Sequence, residues 1–402
     1  DRRQRQMCIR DRLTRQLPAW SRTANYLCRR DFQLYQNTSV TYLPEGAILL
    51  RNLIDRAAKA ERFIFLEYFI LAEGKLWDEL EKTLCAKARE GVEVKIIFDD
   101  FGNIKRFSGE TIDRLREVGV EVFIFNPVHE YVNRLHFNYR DHRKIACIDG
   151  DVAYTGGVNI ADEYANIIER FGYWKDSGVC LEGDGAWGLT ASFIRMCVNL
   201  GGVMHNEHDY YRPHTPVKSE GFCQPFTDGP QNNPDNPAED VFLQMISGAR
   251  RFLYITTPYF IPDGSVMRAL CIAGDGGVDV RLMLPGKPDH WYADCVAESY
   301  FGELIKHGVK VYRYTPGFLH GKSIMVDRVA AFVGSVNMDY RSFELDYECG
   351  VMVYSAPMIE SLLEDMDMIV DHSRLVTKEE WAKRSVLRRV FEPLLRLFAI
   401  WM

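Results

Sequence analysis

The sequence has no run of about 18 apolar residues, the least that a bilayer-crossing helix needs, so no segment of it is expected to span a membrane. It shows no secretory signal. It has ten cysteines but no CxxC pair. The cysteines sit inside apolar stretches, as Cys147 does in ACIDG, and read as reduced core residues of a cytosolic domain. It also lacks a positive balance. The formal net charge of −7 excludes a generic polyanion binder, so any affinity for phosphate or lipid must be local.

The local charge is at the ends. Residues 1–30 hold nine Arg and two Asp, and residues 373–402 hold seven basic and three acidic residues. Basic ends of this kind suit anionic lipid headgroups, at about 1 kcal/mol per residue near the surface. Solvated, partly disordered sequence is the plainer expectation for residues 1–15. With 402 residues, two domains are expected rather than one core.

The clearest organisation is an internal repeat. EYFI (67–70) returns as PYFI (258–261), and GVEVKIIFDD (91–100) returns as GVDVRLMLPG (277–286). EVGVEVFIFNP (117–127) parallels KHGVKVYRYTPG (306–317). HRKIACID (142–149) parallels HGKSIMVD (320–327), and GGVN (156–159) parallels GSVN (334–337). The offset drifts from 191 to 178 residues, mainly through a longer loop at 128–141 in the first half.

Within each half, strand and helix patterns alternate. Residues 63–70 read as a strand, 77–91 as a helix ending on Gly, 92–99 as a strand, 110–119 as a helix and 120–127 as a strand. That alternation predicts an α/β fold with a mixed, mostly parallel sheet flanked by helices in each half. Five segments follow: a basic N-terminal segment at 1–37, a first domain at 38–204, a linker or insertion at 205–238, a second domain at 239–385, and an amphipathic basic tail at 386–402. The loop composition of DGPQNNPDNP places the boundary.

Each half carries HxKxxxxD: His142, Lys144 and Asp149, then His320, Lys322 and Asp327. Residues i and i+2 of a strand share a face, so each His projects beside its Lys. An imidazole beside an ammonium suits a phosphodiester, the lysine holding a phosphate oxygen while the histidine attacks phosphorus or protonates a leaving oxygen. Composition alone gives roughly 0.03 such matches among ten histidines, so two inside a repeat are no accident. Asn159 and Asn337 follow after small-residue turns, and with Ser335 they are expected to donate hydrogen bonds to phosphate. Each imidazole needs a partner to fix its tautomer. Asp176 and Glu348 are the candidates, with the pairing left open. Asp149 and Asp327 are expected to buttress a turn or to pair with a lysine.

With these residues in hand, the chain resembles the phospholipase D superfamily and, more narrowly, the bacterial cardiolipin synthases. The supporting segments include NYRDHRKIACIDG, TGGVNIADEY, PDHWYADCVAESYFGELIKHGVKVYRYTPGFLHGKSIMVD and VGSVNMDYRSFELDYECGV. The resemblance runs from about residue 38 to the C-terminus. It implies two homologous phospholipase D-like domains related by a pseudo-twofold axis, with both motifs in one active site. It implies a ping-pong transfer between two phosphatidylglycerol molecules through a phosphatidyl-histidine, with His142 as the nucleophile. It requires no metal and no organic cofactor. The implied partners are phosphatidylglycerol and anionic membrane lipid, with no nucleic acid and no obligatory protein partner. The implied location is the bacterial cell membrane, with the catalytic domains on its cytoplasmic side. Two transmembrane helices commonly precede the domains in that family. Neither is in this sequence, which is then either a piece of a longer protein or a peripheral binder.

Asp346 stands where the family pattern has Asn. The segment HNEHDYYRPH (205–214) has His, Glu and Asp at metal-like spacing, but in a loop. Arg341 is read either as a lipid-phosphate contact or as a partner of Asp339 or Glu344. The Trp and Tyr of PDHWYAD (288–294) suit a lipid entrance or the packing of a helix start. The tail is read as an interfacial anchor or as a helix packed on the body. Three rival functions stand beside the transferase. A hydrolytic phospholipase D differs only in its acceptor pocket. A nuclease lacks its basic, aromatic-interleaved stripe. A non-catalytic lipid-binding scaffold would show a broken motif in one half, and both motifs are intact.

Overall fold

A computed structural model describes residues 2–128, 138–207, 209–383 and 395–396. The tail at 386–402 lies outside the described residues except for Leu395 and Arg396.

In the first half the strands are β1 (Thr38–Leu43), β2 (Phe63–Tyr68), β3 (Glu93–Asp99), β4 (Glu121–Phe125), β5 (Arg140–Asp141), β6 (Lys144–Ile148), β7 (Val152–Gly156), β8 (Tyr173–Lys175) and β9 (Gly178–Gly183). In the second they are β10 (Phe222–Asp228), β11 (Phe252–Thr256), β12 (Phe260–Ile261), β13 (Asp279–Pro285), β14 (Lys310–Tyr314), β15 (Gly317–Leu319), β16 (Ser323–Val326), β17 (Ala330–Gly334), β18 (Met338–Asp339), β19 (Asp346–Tyr354) and β20 (Ser373–Leu375). The first sheet runs β1-β9-β7-β6-β2-β3-β4. The second runs β10-β19-β17-β16-β11-β13-β14 and adds β20 at its edge. Strand for strand, the order is the same, as a duplicated domain requires.

The helical crossovers of the repeat are where the sequence placed them. Helices Lys75–Arg89 and Gly109–Glu117 link β2 to β3 to β4. Gly91, Gly119, Gly277 and Gly308 end the corresponding helices at φ between 80° and 92°. At Gly91, Gly119 and Gly277 an added Cβ would meet nothing within 4 Å. The left-handed backbone, not space, therefore selects glycine in the recurring Gly-Val step.

The mostly parallel expectation needs correction. Along the strand orders just given, β2-β3-β4 and β11-β13-β14 run parallel, and the neighbours from β2 through β6, β7 and β9 to β1 pair antiparallel. The physical reason is connection length. β6 and β7 are joined by a tight hairpin in which Asp149 and Gly150 take φ of 54° and 71°. Asp327 and Arg328 do the same between β16 and β17 at 53° and 57°. Both turns are of the primed type that suits a hairpin, and neither leaves room for a crossover helix.

The sheets stand back to back around a shared apolar layer. Helix Ala186–Asn199 and helix Met358–Asp371 contribute to it, alongside Phe63, Phe65, Met325 and Val351. Helices Gly46–Ala57 and Lys75–Arg89 cover the outer face of the first sheet. Helices Pro237–Gly248, Gly264–Asp275 and Trp291–Lys306 cover that of the second.

Two other expectations differ from the structure. Arg2–Gln16 form a helix rather than disordered sequence, and Ile9, Leu13, Trp20, Ala24 and Leu27 bury against the second sheet's outer core. The stretch 205–238 is not all loop. It contains β10, whose register with β19 runs from Phe222 opposite Tyr354 to Asp228 opposite Glu348.

Candidate active site

The site is built by two short parallel ladders that cross between the halves. β5 pairs with β19, placing Arg140 opposite Asp346 and Asp141 opposite Tyr347. β15 pairs with β8, placing Leu319 opposite Lys175. One residue further on each ladder, a histidine meets a carboxylate from the other half. The His142 N–H donates to the Tyr347 carbonyl at 2.9 Å, and the His320 N–H donates to the Lys175 carbonyl at 2.7 Å. His142 Nδ1 lies 2.9 Å from Glu348 Oε1, and His320 Nδ1 lies 2.6 Å from Asp176 Oδ2. The open pairing is thereby resolved, and it is crossed. With Nδ1 engaged, Nε2 is the nitrogen each ring has for chemistry.

The two carboxylates are held differently. Asp176 Oδ1 accepts the Ser177 N–H at 2.8 Å. A Cβ on Gly157 would come within 2.2 Å of that oxygen, so the first half needs glycine there. The second half has Ser335 at the matching position. Its hydroxyl donates to Glu348 Oε2, and Ser342 Oγ donates to Glu348 Oε1 at 2.7 Å. Ser335 was expected to bind phosphate. Its hydroxyl instead orients Glu348, because that buried carboxylate is the acceptor in reach.

These differences set the charges. Burial works against an ionised Asp176, but His320 and Lys322 hold its carboxyl below the ordinary value. Burial pushes Glu348 up to about 7, only partly opposed by Lys144 and the serine hydroxyls. Burial, with Lys144 and Lys322 adding to it, holds His142 well below the usual imidazole value. Burial and Lys322 lower His320 to about 4 against the pull of Asp176. Burial brings Lys144 down to about 8 and Lys322 to about 7.

Both lysines lie behind the histidines, about 1 % exposed. Lys144 Nζ donates to the His142 carbonyl, and Lys322 Nζ donates to the His320 carbonyl at 2.6 Å while lying 3.0 Å from both nitrogens of that ring. Asp149 and Asp327, grouped with the catalytic candidates, sit at the far ends of β6 and β16. Asp149 accepts the N–H groups of Glu61, Arg62 and Phe63 at 2.7 to 3.0 Å, and Asp327 accepts those of Arg250, Arg251 and Phe252 at 2.8 to 2.9 Å. They tie each hairpin to the start of the neighbouring strand and touch no reacting group, because four residues of strand separate them from the lysines.

Asn159 and Asn337 both line the cavity but are not equivalent. Asn159 Oδ1 accepts the Ile70 N–H at 3.0 Å, and Nδ2 donates to Tyr164 Oη at 2.8 Å. Asn337 Oδ1 is buried without a hydrogen-bond partner. Asn159 is thus spent on the fold of its own loop.

The cavity holds about 850 Å³ and has both histidines in its wall. Phe69 stands edge-on to His142 at 5.3 Å, and Tyr164 edge-on to His320 at 5.4 Å. Toward the mouth, Phe101, Ile104 and Tyr292 line the cavity while remaining exposed, and Trp291 beside them is 69 % exposed. Sequence reasoning missed the arginines of this wall, Arg106 and Arg170, which both bond Glu163. Glu163 lies in the quoted TGGVNIADEY segment, but nothing in its spacing announced the pair. Arg341 pairs with neither Asp339 nor Glu344. Its Nε lies 3.2 Å from Asp346 Oδ2, and its other nitrogens donate to the side chain and carbonyl of Asn138 at 3.1 Å. Asp346 is buried, and that burial raises its carboxyl well above the ordinary range.

Among the described residues, one trio has ligand atoms within 4.8 Å of one another: His142, Asp346 and Glu348. A cation there would compete with the hydrogen bond that orients His142. The segment read as metal-like is a cap on the β6–β7 hairpin: His205 packs on Tyr210 at 4.4 Å, and the His214 N–H donates to Asp151 at 2.7 Å. His208 lies outside the described residues.

Comparison with known proteins gives a consistent result. The family described as "Cardiolipin synthase, PLD-like domain" matches residues 50–167 and 242–370, so each segment holds one of the two histidines. A cardiolipin synthase of Halalkalibacterium halodurans is 35% identical over 380 residues, covering 94% of this chain and 75% of that protein. The major cardiolipin synthase of Bacillus subtilis is 35% identical over 370 residues, covering 90% and 75%. Among solved structures, the phosphatidylserine synthase of Haemophilus influenzae superposes with a TM-score of 0.68 over 92% of this chain and 94% of that one. At 16% identity, that likeness speaks to the fold alone.

Proposed function

The chain belongs to the cardiolipin synthase family of phospholipase D-like proteins, and from that premise we propose how its two histidines divide the work of a phosphatidyltransferase. The substrates are two phosphatidylglycerol molecules and the products are cardiolipin and glycerol. The observation that carries the division is the crossed bracing, which leaves two histidines in the wall of one cavity with carboxyl groups of unlike acidity behind them.

His142, the more strongly neutral imidazole, is the nucleophile. Its Nε2 forms a bond to the phosphorus of the donor as the bond from phosphorus to the glycerol oxygen breaks. His320 gives its Nε2 proton to that departing oxygen. The ionised Asp176 stabilises the imidazolium, and the phosphodiester anion offsets the lysine charges that otherwise lower it. In the second half, neutral His320 takes the proton of a hydroxyl on the acceptor's glycerol. That oxygen bonds to phosphorus, and the N–P bond to His142 breaks. Lys144 and Lys322, while protonated, add positive charge behind the histidines that stabilises the charge building on the phosphoryl group in the transition state.

The reaction is placed at a membrane surface, on the cytoplasmic side. Exposed Phe101, Ile104, Trp291 and Tyr292 around the mouth suit the interfacial region of a bilayer. Ten free cysteines suit a reducing compartment. No helix among the described residues is long and apolar enough to cross a membrane. No protein partner is needed for the chemistry.

Product analysis of the purified protein with phosphatidylglycerol vesicles tests the reading. Cardiolipin and glycerol in equal amounts, with the protein sedimenting on the vesicles, are expected. Phosphatidic acid as the sole product would make water the acceptor. A protein that stays in the supernatant would remove the membrane placement.

The lysines also set a pH dependence. Deprotonation of Lys322 near 7 and of Lys144 near 8 removes positive charge from the phosphate site of the free protein. The phosphodiester itself does not titrate in that range. We therefore expect kcat/KM for phosphatidylglycerol to fall as pH rises, by about tenfold per unit between roughly pH 7 and 8 and by up to about a hundredfold per unit above that, where both ammoniums are lost. A profile flat to pH 10 in mixed micelles would contradict that role for the lysines.

A further inference from the structure

We infer that Arg106 and Arg170, joined through Glu163, form the subsite that holds the phosphodiester of the acceptor lipid. The inference rests on the transfer between two phosphatidylglycerol molecules proposed above.

Arg106 Nη1 and Arg170 Nη1 both donate to the same oxygen, Glu163 Oε1, each at 3.0 Å. Two guanidiniums and one carboxylate leave a surplus of one positive charge on this wall. They also leave most of the N–H donors of the two guanidiniums available, in the planar fork that suits a phosphate. Glu163 is 7 % exposed and Arg106 28 %, so the cluster is anchored in the protein and presented to the cavity. Arg170 also lies over the Phe171 ring at 5.4 Å, which limits where its fork can go.

The third arginine of the cavity contrasts with these. Arg341 spends Nε on Asp346 and both other nitrogens on Asn138. The wall contributed by the second half carries Asp289 and Asp339 beside that spent arginine. A second anion entering the cavity is therefore drawn to the Arg106–Arg170 side.

The chemistry says which anion that is. The donor has a single phosphate, and it lies between the histidines while it reacts. The acceptor brings its own phosphate, separated from the attacking hydroxyl by the three carbons of glycerol. A surplus cation elsewhere on the wall can bind only the latter. Such a subsite selects an acceptor that carries a phosphate over glycerol or water, and so favours cardiolipin over exchange and hydrolysis.

The test compares two acceptors in one assay. Labelled glycerol attacks the phosphatidyl-histidine and returns labelled phosphatidylglycerol, with no acceptor phosphate involved. Cardiolipin formation needs that phosphate. In the Arg106→Gln/Arg170→Gln variant the ratio of cardiolipin to labelled phosphatidylglycerol should fall on the order of tenfold or more. The Arg106→Lys/Arg170→Lys variant, which keeps the charge, should recover part of it. Glu163→Gln, which removes the competing carboxylate, should raise it. An unchanged ratio, or equal loss of both products, overturns the inference. Exchange of glycerol without any cardiolipin in the unsubstituted protein would overturn the parent reading as well, and no arginine variant could produce that result.

Discussion

His142→Ala is expected to lose cardiolipin formation and glycerol exchange together, by about 10⁴-fold or more, because no covalent intermediate can form. His320→Ala is expected to behave differently. Its nucleophile and Glu348 are intact, and what it lacks is the proton for the leaving group, a loss of about 10²–10⁴ on the natural lipid. A phosphatidyl ester of p-nitrophenol needs no such proton. With it, His320→Ala should release about one nitrophenol per protein molecule in a burst and then slow, since no base remains to activate the acceptor. His142→Ala should show no burst. A burst in His142→Ala and none in His320→Ala would exchange the two roles.

The second large effect separates the two carboxylates. Asp176 is ionised in its crossed pair, and it both fixes the His320 ring and stabilises its protonated form. Asp176→Asn keeps the shape but removes that charge, and can hold the wrong tautomer. A loss of about 10³–10⁴ in kcat is expected, with the protonation of His320 becoming harder. Glu348 has its carboxyl raised to about 7 and already sits between two serine hydroxyls. His142 needs from it an acceptor for Nδ1–H, which a Gln oxygen can supply. Glu348→Gln is therefore expected to cost about tenfold only. Equal losses in the two variants, measured as kcat at saturating lipid, would show that the charge difference between the two halves has no catalytic consequence.

Much of the architecture was legible in the sequence because the signals were local. The repeat fixed two equivalent halves, and the Gly-Val steps at Gly91, Gly119, Gly277 and Gly308 marked where helices end and strands begin. Strand direction was not legible. β6 and β7 are short apolar runs with no directional signal, and only their tight turn forces them antiparallel. Both histidines and both carboxylates were visible as candidates. Their pairing was not, since His142 meets Glu348 across 206 residues and His320 meets Asp176 across 144, through ladders only two or three residues long. Ser335 was misread for a related reason. A small-residue turn gives no sign of what its hydroxyl meets, and a buried carboxylate from β19 claims it. Asp149 and Asp327 entered the catalytic group through the motif, and of the two structural roles left open to them the fold uses the buttress, because an Asp at a hairpin turn accepts backbone N–H groups wherever the fold presents them.

The most direct measurement is to quench His320→Ala after one turnover with labelled phosphatidylglycerol or its nitrophenyl analogue, digest it, and locate the phosphatidyl group by mass spectrometry. The crossed, two-histidine account predicts one adduct per chain, on His142, discharged when glycerol and a working His320 are both present. Label on any other residue, or turnover with no trapped adduct at all, would contradict it.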